Sequence, residues 1–213
     1  MNKNLNKYIE YTLLKNTATE DDIKKLCSEA VRYDFLGVCV NPIYVATCKR
    51  YLAGSNVKIV TVIGFPLGEC KPSIKQSEAR VALADGADEL DMVLCGSKLR
   101  AGEYDYVVRD IKWVVEDSDK PVKVIIESAT LTDEQIIKAC ELSMKAGAAF
   151  VKTSTGFIGG GASEHAVTLM RKTVGDRLGV KASGGITDRA TAEKMIAAGA
   201  DRIGTSNGIA ICK

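Results

Sequence analysis

The chain has 213 residues, 46% hydrophobic and 6% aromatic, with 29 basic against 27 acidic side chains and a net charge of +2. That length suits one globular domain over residues 1–213, and the near-even charge excludes a protein held to nucleic acid chiefly by phosphate contacts. Seven scattered cysteines with no C-x-x-C pair argue against a disulfide framework or a zinc ribbon, and fit a reducing cytoplasm.

The polar start, "MNKNLNKYIEYTLL", lacks the apolar stretch of a signal peptide, and no run approaches the ~20 apolar residues that span a bilayer. The first predicted strand is "YIEYTLL" (8–14), which carries Glu10. Thr19, three before Asp22, predicts a capped helix. "GVCVN" (37–41) follows with Cys39, read as a small buried thiol without a catalytic role. "VKIVTVIGF" (57–65) runs into "VIGFPLGECKPS" (62–73), a loop expected to wall a cavity, and Ser73 before Gln76 predicts the next cap. "DELDMVLC" (88–95) carries Asp91, and "VKVIIES" (122–128) is the fifth strand, followed by a cap at Thr132 before Gln135.

"FVKTST" (150–155) carries Lys152, "VKASG" (180–184) carries Lys181, and "RIGTS" (202–206) completes eight strands. Three helices end alike, in "ADGADELDM" (84–92), "KAGAAFVKT" (145–153) and "AAGADRIGT" (197–205), each with a glycine suited to the left-handed position before a strand. His165, the one histidine, reads as exposed first-turn helix, which leaves histidine metal sites and serine–histidine relays without their imidazole. Strict β-then-α alternation implies parallel strands joined by crossovers, and eight units imply an α/β fold closed as a (β/α)8 TIM barrel. An open doubly wound sheet would carry Gly-x-Gly-x-x-Gly after its first strand, and none follows "YIEYTLL" or "GVCVN".

Chemistry in such barrels gathers at the carboxyl ends of strands. Side chains alternate along a strand, so Phe150, Lys152 and Ser154 share one face, and Val151, Thr153 and Thr155 the other. The same rule pairs Lys181 with Ser183 and Asp91 with Val93, leaving Val180, Ala182, Leu90 and Met92 to pack under helices. Taken singly, each lysine reads as a strand-end residue reaching solvent or paired with a carboxylate. Together, two lysines and an aspartate point to one cavity holding an amine that can act as a nucleophile when neutral, with burial and a second cation favouring that form. Which lysine is the nucleophile stays open at this level, because repulsion acts on both.

Two glycine-bearing loops, "SGGITDRAT" (183–191) and "IGTSNG" (203–208), suit an anion held by backbone amides and a following helix amino terminus. Loops seven and eight are a frequent phosphate site in barrels, and no nucleoside-triphosphate P-loop is present. A phosphorylated small molecule is the expected ligand.

"YTLLK", "VCVNP", "VIGFPLG", "ELDMV", "KVIIE", "VKTSTGF", "KASGGI" and "IGTSNG" together resemble the deoxyribose-phosphate aldolases, class I enzymes of the (β/α)8 fold. The resemblance implies cleavage of 2-deoxy-D-ribose 5-phosphate to D-glyceraldehyde 3-phosphate and acetaldehyde, with no metal or other cofactor. It implies that Lys152 forms the Schiff base, that Lys181 lies beside it and tunes it, that Asp91 serves in proton transfer, and that Gly184, Gly185, Gly204 and Ser206 surround the phosphate. It also suggests a homodimer, while the near-even charge and the lack of a long apolar run leave no nucleic-acid or membrane partner expected. Glu10 and Tyr11 stand where the family commonly has Asp-His, so a supporting role for Glu10 beside Lys181 is left open. "IESATLTDE" and "GGGAS" also depart from the usual pattern, and altered rate or aldehyde tolerance rather than lost activity is expected. Two alternatives remain: a non-catalytic sugar-phosphate-binding barrel, and a related aldolase for another phosphorylated sugar.

Overall fold

The structure, a computed structural model, describes residues 4–213. All eight expected strands form: β1 (Ile9–Leu13), β2 (Gly37–Val40), β3 (Lys58–Ile63), β4 (Glu89–Val93), β5 (Val122–Ile125), β6 (Phe150–Lys152), β7 (Gly179–Ser183) and β8 (Arg202–Thr205). Each pairs in parallel with the next, and β8 closes on β1, giving a closed (β/α)8 barrel. The helices are α1 (Glu20–Arg32), α2 (Val45–Tyr51), α3 (Pro72–Ala84), α4 (Gly96–Arg100), α5 (Tyr104–Glu116), α6 (Asp133–Lys145), α7 (Glu164–Val174), α8 (Arg189–Ala197) and α9 (Gly208–Cys212). Two helices, α4 and α5, occupy the crossover between β4 and β5.

Local signals act where expected at α1 and α6, whose Thr19 and Thr132 form reciprocal capping boxes with Asp22 and Gln135. Ser73 does not cap α3. Pro72 already occupies the first turn, where its fixed φ and missing N–H are tolerated, so the helix starts one residue too early for Ser73 to stand outside it. The repeated helix ends adopt the left-handed turn, with φ of 106° at Gly86 and 112° at Gly199.

Alternation along the strands separates two interiors. Leu90, Met92, Val124, Val151, Val180 and Ala182 belong to the main apolar core between barrel and helices. Leu14, Cys39, Val60 and Val62 form a small separate cluster, and the in-register pairs Cys39–Val60 and Val62–Asp91 place it on the barrel's inner face. Other inner positions hold charge, among them Glu10, Glu89, Asp91, Lys123, Lys152 and Lys181, all buried. At the amino-terminal end the Phe150 ring lies against the Lys123 ammonium at 5.8 Å and the Arg202 guanidinium at 5.4 Å. Gly179 makes room for that ring, since a Cβ there would come within 2.1 Å of it. No helix among the described residues is long and apolar enough to cross a membrane.

Candidate active site

Register brings the ionisable residues together. β6 and β7 align Lys152 with Lys181, and β4 and β5 align Asp91 with Lys123. Asp91 Oδ2 accepts from Lys152 Nζ at 2.8 Å and from Lys181 Nζ at 2.6 Å, while its Oδ1 accepts from Lys123 Nζ at 2.9 Å. Glu10 accepts from Lys181 through Oε2 and lies 3.5 Å from Lys123 through Oε1. Lys123 also meets Glu89 at 2.7 Å, and Glu89 meets Lys58 at 2.6 Å. The lengthened Glu10 therefore does reach Lys181.

Burying so many charges is sustainable only because each has an opposite partner, since an unpaired buried ion costs several kcal/mol. Burial alone would raise the Asp91 carboxyl, but Lys123, Lys152 and Lys181 hold it well below the ordinary carboxylate range. Burial would likewise lower the Lys181 and Lys123 ammoniums, and Asp91 with Glu10 carries both above the ordinary lysine value. Asp91 is thus a permanent anion, and Lys181 and Lys123 are permanent cations, at neutral pH.

Lys152 differs from Lys181 in access. Lys181 is fully buried between two carboxylates. Lys152 has one carboxylate partner, is 3% exposed, and lines a cavity of about 400 Å³ at the carboxyl ends of the strands. The ambiguity that strand alternation leaves between the two lysines is thereby narrowed by geometry: only Lys152 of the pair is in the cavity wall.

Gly184, Gly185, Gly204 and Ser206 all line this cavity, as do Asn207 and Lys15. Gly184 and Gly185 have φ of 85° and 76°, which only glycine adopts readily and which turns consecutive backbone amides. Gly204 has a different reason: a Cβ there would come within 3.0 Å of Lys181 Cε, so glycine makes room for the lysine. At the amino terminus of α8, the Asp188 carboxylate accepts from Thr191 N and caps the helix. Lys15 and Lys152 are the two cationic side chains in the wall. Lys15, Lys123, Glu89 and Glu127 were not singled out from the sequence. Lys123 carried a usable signal, a lysine on the same face as Ile125 in an apolar strand.

Three other expectations are settled here. The 62–73 loop walls a neighbouring cavity of about 230 Å³ through Pro66, Leu67 and Glu69, and touches the main one only where Phe65 packs edge-on against Phe157, with ring centroids 5.2 Å apart. Thr155 does not stay with Val151 on the helix-facing side. β6 ends at Lys152, and Thr155 lines the main cavity. His165 is exposed in the first turn of α7, with Nε2 2.8 Å from Asp133. A larger hollow of about 560 Å³ lies against Asn56, Asp88 and Lys120. It holds none of the buried lysines, so we place the chemistry in the smaller one.

A cavity at the carboxyl end of a closed parallel barrel, with a buried lysine in its wall, defines a (β/α)8 enzyme site. The chain belongs to the DeoC/LacD family of aldolases, whose profile matches residues 10–213. A deoxyribose-phosphate aldolase of Caldicellulosiruptor saccharolyticus is 53% identical over 213 residues, covering 98% of this chain and 97% of that protein. One of Thermococcus gammatolerans is 56% identical over 210 residues, covering 96% and 93%. The tetrameric deoxyribose phosphate aldolase of Aeropyrum pernix superposes with a TM-score of 0.92 at 34% identity, covering 99% of this chain and 90% of that one.

Proposed function

We propose that this chain, as one (β/α)8 domain, is a class I aldolase that reversibly cleaves 2-deoxy-D-ribose 5-phosphate to D-glyceraldehyde 3-phosphate and acetaldehyde. The observation that carries this reading is Lys152, an amine in the cavity wall that shares one carboxylate oxygen with a sealed second lysine. Family membership and relatives at 53% and 56% identity support the substrate.

The neutral amine of Lys152 adds to the C1 carbonyl, and loss of water gives a protonated imine. The C3 hydroxyl then gives its proton to water and the C2–C3 bond breaks, its electron pair passing to the imine to form an enamine. Glyceraldehyde phosphate leaves, the enamine is protonated on carbon, and hydrolysis releases acetaldehyde and Lys152. Asp91, an anion between the Lys123 and Lys181 cations, acts by guiding protons between Lys152 and water rather than by storing one. Glu10 holds Lys181 in place. Gly184, Gly185, Gly204 and Ser206 receive the phosphate, with Lys15 as its cation, and fixing that end lowers the entropic barrier at C1.

Borohydride reduction with acetaldehyde tests the core of this reading. A secondary amine on the peptide containing Lys152 is expected, and an unmodified Lys152 in folded protein overturns it. Comparing kcat/KM for deoxyribose 5-phosphate with ribose 5-phosphate and unphosphorylated deoxyribose separates this substrate from another phosphorylated sugar. Binding of the phosphate ester without acetaldehyde release would favour the non-catalytic barrel. We assign the enzyme to deoxyribonucleotide catabolism in the cytoplasm, where seven unpaired cysteines, five of them buried, are chemically at home. We assign it a homodimer, which light scattering checks.

A further inference from the structure

Glu127, just past β5, is a buried carboxylate that the steps above do not use. Its backbone has φ 56° and ψ 55°, the left-handed region rarely adopted by residues other than glycine. The side chain leaves the line of β5 and meets Thr155. Both Glu127 oxygens accept from Thr155 N, at 3.3 and 3.2 Å, and Oε2 also accepts from Thr155 Oγ1 at 2.5 Å. One side chain therefore fixes both the backbone and the hydroxyl of a residue three positions after Lys152. Phe157 N in turn donates to Thr155 Oγ1 at 3.1 Å.

Counting the hydroxyl's capacity gives it a direction. A threonine hydroxyl has one proton and two lone pairs. The proton is committed to Glu127 and one lone pair to Phe157 N, so one acceptor position remains, on a residue that lines the cavity with Lys152. Burial raises the Glu127 carboxyl, while the bonds from Thr155 and the nearby Lys152 charge act the other way. Had β6 continued past Lys152, Thr155 would face the helices; where the strand stops, Thr155 lines the cavity of Lys152, and Glu127, which lines the neighbouring smaller cavity, holds it from behind.

We propose that Glu127 is a positioning residue. It holds Thr155 Oγ1 as a hydrogen-bond acceptor aimed at a hydroxyl of the sugar substrate, so that the substrate's bond to be broken is presented to the imine on Lys152. The proposal rests on the aldolase reading of Lys152. It separates two reactions of the same amine: acetaldehyde, which has no hydroxyl, gains nothing from Thr155, whereas deoxyribose 5-phosphate does.

The test is Glu127→Gln, Thr155→Val and the double variant, each assayed for sugar-phosphate cleavage and for borohydride trapping with acetaldehyde. Glu127→Gln is expected to lower kcat for cleavage on the order of tenfold to a hundredfold, the cost of misplacing a reacting group, with trapping on Lys152 unchanged. In the Thr155→Val background the same substitution is expected to cost less than about twofold, since residues acting as one unit are not additive. Glu127→Asn, which tolerates left-handed backbone, repeats the measurement should the glutamine variant not fold. Cleavage at the parent rate, equal losses in cleavage and trapping, or an undiminished penalty without the Thr155 hydroxyl would each overturn the proposal. Absence of an adduct in the unaltered protein would overturn the aldolase reading itself.

Discussion

Lys75 and Lys152 are both buried lysines bonded to an aspartate, yet their surroundings differ in kind. Lys75, on α3, is fully buried, and its Nζ donates to Asp110 Oδ2 at 2.6 Å and to the Val93 carbonyl at 2.8 Å, while Cys95 N donates to the same aspartate oxygen at 3.1 Å. One cation meets one anion, and the pair ties α3 and α5 to the end of β4. Lys152 instead competes with two other lysines for one carboxylate and opens on a cavity. The carboxyls register the contrast. Burial raises Asp110 because one lysine does not overcome it, and three lysines turn the same effect into a lowering at Asp91. Burial of a lysine is therefore a poor sign of chemistry, while crowding of several around one anion, next to open volume, is a good one.

Removing each lysine in turn separates the two environments most strongly. Lys152→Met is expected to lower aldol cleavage on the order of ten-thousand-fold or more, as loss of a nucleophile does, with thermal unfolding little changed. A residual rate near that of the parent would put the nucleophile elsewhere. Lys75→Met should do the reverse. Leaving Asp110 buried without its cation costs about 3–5 kcal/mol, read as a drop in Tm of ~10 °C, with kcat at low temperature retained. A smaller contrast lies at the rim, where Lys15→Met is expected to raise KM for the phosphorylated sugar roughly tenfold, the loss of about one charge-assisted hydrogen bond. The unphosphorylated sugar should be unaffected, and a matching rise for it would remove Lys15 from the phosphate site.

Acid unfolding gives the smallest effect and tests the two aspartates together. Asp91 is lowered from its ordinary 3.8, so the unfolded chain takes up the proton first, and the stability it contributes is present above that value and lost as pH falls below it. Asp110 is raised, so the unfolded chain releases the proton first and its contribution declines as pH rises from 3.8 through its higher folded value. Urea titrations are expected to show a shallower loss of stability below about pH 4 in Asp91→Asn. Asp110→Asn should keep the steep acid limb and flatten the region just above it. Equal slopes in all three proteins would contradict the opposite shifts.

Much of this arrangement is legible along the chain. Period-two alternation places Lys152, Lys181 and Asp91 on the inner face because face is a property of neighbouring residues, and "VKTSTGF" with "KASGGI" identifies the family because short motifs are local too. The caps at Thr19 and Thr132 are equally local, and Ser73 misleads only because Pro72 starts the helix before it. What alternation cannot supply is which inward residues meet. Lys123 sits at the beginning of an apolar strand, where a lysine ordinarily reaches solvent, and only closure of the barrel puts Asp91, Glu10 and Glu89 around it.

Eight strands, the inward face of Lys152, Lys181 and Asp91, and two glycine-bearing loops thus follow from the chain alone, because each depends on spacing over a few residues. Barrel closure decided the rest. It sealed Lys181 between Glu10 and Asp91, left Lys152 in the cavity wall, and turned Thr155 onto Glu127 where β6 stops. Those outcomes depend on register between strands up to 171 positions apart along the chain, and charge pairing at that range exists only once the sheet has closed.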